Sequence, residues 1–106
     1  MSFSTATLAY SVTAQGPTTP AQLLAAMEAI VLGTDQIDQL TGSLLTSDVS
    51  NLSGPVITRT LTFSLTSPQY QAEESTDPAA PFRGLYTQII SGFLGCVVTE
   101  TPVVIS

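Results

Sequence analysis

Residues 56–66 read VITRTLTFSLT, a clear alternation of apolar and hydroxyl-bearing side chains. Its apolar residues fall on one side of an extended chain, at Ile57, Leu61, Phe63 and Leu65. Thr and Ser side chains occupy the positions on the other side. A period of two residues is typical of a β-strand that buries one face and exposes the other. The stretch therefore predicts a half-buried strand.

Arg59 lies on the apolar side of this alternation, between Ile57 and Leu61. A guanidinium in such a position needs a carboxylate partner or a path to the edge of the sheet. We therefore predict an acidic partner, either within the subunit or across an interface, unless Arg59 is a snorkelling residue at a sheet edge. The interface role is the interpretation that we favour, so Arg59 is an interface candidate.

Toward the N terminus, residues 6–14 show the same alternation and predict a second strand. The Gly- and Pro-rich residues 16–20 break the pattern, and Thr19 before Pro20 is a typical start of a helix. The apolar residues that follow have helical spacing: Leu23, Leu24, Met27, Ile30 and Val31. We predict a helix that ends near Gly33.

Residues 41–55 are rich in Ser, Thr, Gly, Asn and Asp, which predicts a connection that holds at most one short strand. Beyond residue 81, apolar side chains recur every three or four positions. They predict a second helix and comprise Phe82, Leu85, Tyr86, Ile89, Ile90 and Phe93.

Between the strand predicted at residues 56–66 and the second helix, residues 67–81 predict an exposed acidic loop. Glu73, Glu74 and Asp77 supply its charge, and Tyr70 is its main apolar side chain. Loops of this length are usually functional or disordered. We expect the loop to be mobile or held by a neighbouring chain, and these four residues are interface candidates.

The chain ends in a β-prone run over residues 97–106 that Pro102 interrupts. Because proline cannot donate a ladder hydrogen bond, the run fits an edge strand, or an arm that pairs with another subunit. Val103, Val104 and Ile105 are therefore further interface candidates.

The order of predicted elements is strand, helix, connection, strand, acidic loop, helix, strand. It favours a single domain over residues 1–106 of the α+β class, with a small, mostly antiparallel sheet and two helices on one face. The alternative is a β-sandwich or barrel with one or two helices.

The charge balance restricts the partners. The 106 residues include eight acids and two basic residues, Arg59 and Arg83, for a net charge of -6. Such a chain repels phosphate backbones, so we predict no direct binding of nucleic acid. The longest apolar stretch, residues 84–98, is shorter than the ~20 residues of a membrane-spanning helix. No secretory signal is visible, and we expect cytoplasmic synthesis.

The residue inventory also restricts the chemistry. Without His or Lys, the chain cannot build an imidazole-activated nucleophile, a Schiff base or a P-loop. Carboxylate pairs are the remaining candidates, but Glu73 with Glu74 and Asp35 with Asp38 lie in polar stretches where a raised pKa is not expected. We predict no catalytic, cofactor or metal site and no small-molecule substrate. Cys96 is interpreted as a buried apolar residue.

Only 9% of the residues are charged, against about 25% in ordinary domains, while 12 Ser and 16 Thr supply much of the polarity. This acidic, lysine-free, hydroxyl-rich composition resembles small virion proteins of tailed bacteriophages. The resemblance implies a capsid decoration, head-tail connector or tail protein that resides in the virion once assembled.

Few charges and a high apolar content predict a structural subunit whose partners are copies of itself and other subunits of an assembly. The alternative is a small acidic binding module or inhibitor that engages a basic partner surface. A carboxylate-dependent hydrolase ranks last.

Overall fold

A computed structural model describes residues 4–30, 44–65, 79–93 and 95–106 of the chain. The elements follow in the order β1 (Thr5–Thr13), α1 (Pro20–Ala29), β2 (Leu44–Ser53), β3 (Val56–Ser64), α2 (Ala80–Ile90), β4 (Val97–Glu100) and β5 (Val104–Ile105).

The strands form one open, antiparallel sheet in the order β2-β3-β1, with β4 and β5 both paired to the outer side of β1. β2 and β3 make a hairpin through Gly54 and Pro55, where Gly54 has a φ of +59° that a side chain would disfavour. The prediction of an α+β fold with a small antiparallel sheet is confirmed. The barrel alternative is wrong, because β2 and the β4–β5 side remain two separate edges of the described sheet.

The centre of the sheet buries the alternating side chains that the sequence predicts. β1 pairs with β3 from Thr5 opposite Ser64 to Thr13 opposite Val56, so the apolar faces of the two strands coincide. Both helices pack on that face. The buried apolar core comprises Ala6, Leu8, Tyr10, Val12, Leu23, Met27, Ile57, Leu61, Phe63, Leu65, Phe82, Leu85, Tyr86, Ile89 and Phe93.

Helix α1 begins as predicted. The Thr19 side chain accepts a hydrogen bond from the Gln22 backbone N–H, and the Gln22 side chain accepts one from the Thr19 backbone. This reciprocal capping box satisfies backbone donors that the first turn of a helix leaves unpaired. The helix ends at Ala29, with Ile30 as its cap, and Gly33 lies outside the described residues.

Helix α2 is held to the sheet by aromatic contacts. The Phe82 ring lies 5.5 Å from that of Phe63. The Tyr86 hydroxyl donates to the carbonyls of Ala9 and Thr101, which ties α2 to the central strand β1 and to the segment between β4 and β5. No helix of the described residues is long and apolar enough to cross a membrane.

The acidic loop prediction is wrong at its end, because α2 already begins at Ala80. The remaining part of that prediction lies outside the described residues, together with Tyr70, Glu73, Glu74 and Asp77.

The prediction for residues 41–55 also needs correction, since β2 is a strand of ten residues. It was hidden because β2 is an edge strand whose side chains are largely exposed on both faces, so polar residues occur on each. A β-bulge at Thr46, between Leu45 and Ser47, further disrupts the alternation.

At the C terminus the chain pairs with itself. Val104 lies opposite Thr7 and Ile105 opposite Ala6, and the Ser106 carbonyl accepts hydrogen bonds from the backbone N–H groups of Ser4 and Thr5. Residues 97–106 thus contribute two short strands to an edge of the subunit's own sheet. This is the edge-strand alternative of the prediction for this segment.

Candidate functional site

Arg59 is the centre of the one buried polar cluster in the described residues. Its residue exposure is only 3%, on the helix-covered face of β3. Nε donates to Oδ1 of Asp48 at 2.8 Å, and Nη2 donates to Oδ2 at 2.6 Å. The acidic partner that the sequence predicts is therefore Asp48 on the neighbouring strand β2, bound in the two-pronged geometry that suits arginine.

The guanidinium also binds the end of helix α1. Nη1 donates to the backbone carbonyl of Met27, and Nη1 and Nη2 each lie 3.2 Å from the carbonyl of Ile30. The last carbonyls of a helix lack intrahelical donors, and a cation there also interacts favourably with the helix dipole. Arg59 therefore joins three elements: β3, the end of α1 and, through Asp48, the edge strand β2.

The electrostatics of the cluster follow from these contacts. Hydrogen bonds from Arg59 lower the pKa of the Asp48 carboxyl, although partial burial opposes them. The hydrogen bond to Asp48 likewise raises the pKa of Arg59. Burial raises the pKa of the Tyr10 phenol, whose oxygen lies 3.5 Å from Nη1 of Arg59. At neutral pH the site holds one cation, one anion and a neutral phenol.

The lowered pKa of Asp48 predicts a loss of stability in acid. The Asp48 contribution is fully present above the pKa of an unfolded aspartate, about 3.9, and disappears as the pH falls through the lower pKa of the folded state. We expect the free energy of unfolding of the parent to exceed that of Asp48→Asn at neutral pH, and the gap to shrink below about pH 4. Urea unfolding at several pH values measures this. A gap that stays constant down to about pH 2 would contradict it.

The other predicted site residues do not join Arg59. Val103 and Ile105 are half-buried against the core of their own chain, and Val104 is 60% exposed at the sheet edge. Cys96 is half-buried beside a shallow pocket that Gln15, Pro17 and Thr18 help to line. In the described part of the chain, no three metal-ligating side chains come together.

The second feature of note is the helix-free face of the sheet. Its two central strands carry uncharged side chains only: Thr5, Thr7, Ala9, Ser11, Thr13, Val56, Thr58, Thr60, Thr62 and Ser64. Hydroxyls on neighbouring strands approach each other, as Ser11 and Thr58 do at 3.1 Å. This face is polar without ionic charge, which is unusual for the surface of a small domain.

The third feature is the edge strand β2, whose importance the sequence interpretation missed. Most of the large apolar side chains that are exposed in the described residues lie on it, at Leu44, Leu45, Val49 and Leu52. The turn at Gly54 and Pro55 was the signal that could have located it. Counting back through a two-residue turn places Ser50 opposite Arg59 and Asp48 diagonally across from it, on the same face.

Comparison of the chain with protein-family models, with curated proteins and with solved structures finds no match. The fold and the site define the chain as a small α+β domain. In it a buried arginine binds an edge strand that exposes four large apolar side chains.

Proposed function

We propose that this chain is a non-enzymatic structural subunit of a symmetric assembly, most specifically a virion component of a tailed bacteriophage. In this role its partners are copies of itself and other subunits of the particle. Within that class, the acidic, lysine-free and hydroxyl-rich composition fits a capsid decoration, head-tail connector or tail protein. The chain would be synthesised in the cytoplasm and then reside in the virion.

The observation that carries the proposal is the distribution of exposed apolar side chains. They lie on strands, at both edges of the sheet: Leu44, Leu45, Val49 and Leu52 on β2, Val97 on β4 and Val104 on β5. Scattered apolar residues are normal on a surface, but four on one edge strand, two on each of its faces, favour contact with another protein at that edge. Subunit contacts would cover apolar surface that few charges protect.

The buried Arg59 cluster supports the same role. The cation contacts one carboxylate, two carbonyls and one phenol, so its donors are directed at the protein rather than at a cavity. A catalytic arginine would need to reach a substrate. Here the guanidinium stabilises the packing of β3, α1 and β2. Such a role suits a subunit that presents a rigid surface to its neighbours.

The proposal predicts a repeating multi-subunit species for the purified chain. Mass in solution and electron microscopy of the same sample are the measurements. Closed rings, tubes or shells support the function. A uniform monomer that instead binds a basic protein in a strongly salt-dependent way would support the acidic binding module.

A further inference from the structure

We propose that the outer edge of β2 pairs in an antiparallel manner with β2 of a second copy, so that two sheets join into one. This inference rests on the proposed function, because it names the surface through which the subunit would associate. It concerns residues 44–53 and the apolar side chains that they expose.

The two edges of the sheet differ in how they are protected. The β4–β5 edge consists of strands of four and two residues, with Pro102 between them and the exposed carboxylate of Glu100. Short strands, proline and charge are the common means of preventing unwanted pairing. β2 runs for ten residues without proline, and among the described residues it pairs with β3 alone. Within the residues that the structure describes, β2 is therefore the less protected of the two edges.

The charge of β2 also permits a second copy to approach. Two chains of net charge -6 repel each other wherever their acids meet. β2 carries a single ionisable side chain, Asp48, and Arg59 neutralises it from inside the subunit at 2.6 Å. A copy that docks on this edge meets hydroxyl, amide and apolar side chains, with the nearest negative charge already paired.

The side chains of β2 match their own copies in one register. A two-fold axis normal to the sheet at Val49 places Val49 opposite itself and Asp48 opposite Ser50 of the second copy. The two Asp48 carboxylates are then diagonal neighbours on one face, and each is already paired with Arg59 of its own subunit. If the bulge at Thr46 is skipped, as it is in the pairing with β3, Leu45 comes opposite Leu52 of the second copy. All these pairs lie on matching faces of the sheet. Cross-strand apolar pairs are a main source of sheet stability.

A disulfide between engineered cysteines tests the proposal. Paired antiparallel residues have Cα atoms about 4.5–5.5 Å apart, within the range that a disulfide bridges. We expect Val49→Cys, in a Cys96→Ser background, to form a covalent dimer under mild oxidation. The matched control is Val97→Cys in the same background, because Val97 has the same exposure as Val49, 50%, but lies on β4. Linkage at position 49 should be about tenfold faster or more, since paired strands raise the effective concentration.

Circular dichroism of each variant verifies the fold. The mass in solution of the unmodified protein, which carries no engineered cysteine, separates the proposed structural role from the proposed pairing through β2. If the unmodified protein is oligomeric but Val49→Cys stays unlinked, or links no faster than Val97→Cys, pairing through β2 is overturned and the structural role stands. If the unmodified protein is monomeric and Val49→Cys stays unlinked, both proposals are overturned.

Discussion

Replacing Arg59 with alanine is expected to lower the free energy of unfolding by about 2–4 kcal/mol. The substitution removes the partner of Asp48 and the donors that bind the end of α1 at Met27 and Ile30. Breaking a buried pair typically costs about 3–5 kcal/mol. The expected loss is smaller here because the Asp48 side chain keeps 34% of its surface exposed and can be hydrated.

The same variant should also associate less. Arg59 binds β2 through the Asp48 carboxylate. Without Arg59, β2 is less well ordered and the Asp48 carboxylate carries an unpaired negative charge. The control is Arg83→Ala, which changes the net charge equally from the exposed side of α2. Denaturant unfolding and sedimentation of both variants are the measurements. If Arg59→Ala leaves both the free energy of unfolding and the sedimentation of the parent unchanged, Arg59 does not stabilise β2.

Replacing Phe82 with alanine should lower the free energy of unfolding by about 3–5 kcal/mol, more than Arg59→Ala. Unlike Arg59→Ala, it should act through folding and not through β2. Phe82 is fully buried, and its ring packs at 5.5 Å against Phe63 in the centre of the sheet. Removing it leaves a cavity between α2 and β3 that the fixed sheet cannot fill. The loss follows from both the missing apolar contact and the empty space.

The control for Phe82→Ala is Gln88→Ala, an exposed position on the same helix that should change stability by no more than about 0.5 kcal/mol. Urea unfolding of the two variants measures the contrast. A loss below about 1 kcal/mol for Phe82→Ala would mean that α2 does not pack on the sheet as described.

Where one face of an element is buried and the other is not, its sequence was sufficient to predict it. The alternation around Phe63 predicts β3 because every second side chain enters the core. The start of α1 was equally readable, since Thr19 and Pro20 each have a local reason to stand at a helix terminus. Local chemistry and burial agree at these positions, so a single sequence suffices.

The edge strand β2 could not be predicted in the same way. Its two faces are both largely exposed, which removes the periodic signal, and the bulge at Thr46 shifts its register. The partner of Arg59 followed from physical necessity, but its identity as Asp48 depended on a hairpin that the composition of residues 41–55 concealed. Of the two places predicted for that acid, within the subunit or across an interface, the structure shows the first, and an interface role of Arg59 stays a prediction.

The most direct test of the proposed role is the mass of the unmodified protein by sedimentation velocity, over a wide concentration range and at low and high salt. A self-associating subunit should sediment as a multiple of 11.0 kDa. The association should persist or strengthen in high salt, because salt screens the repulsion between acidic chains and favours apolar burial. A species of 11.0 kDa at every concentration and salt would contradict it.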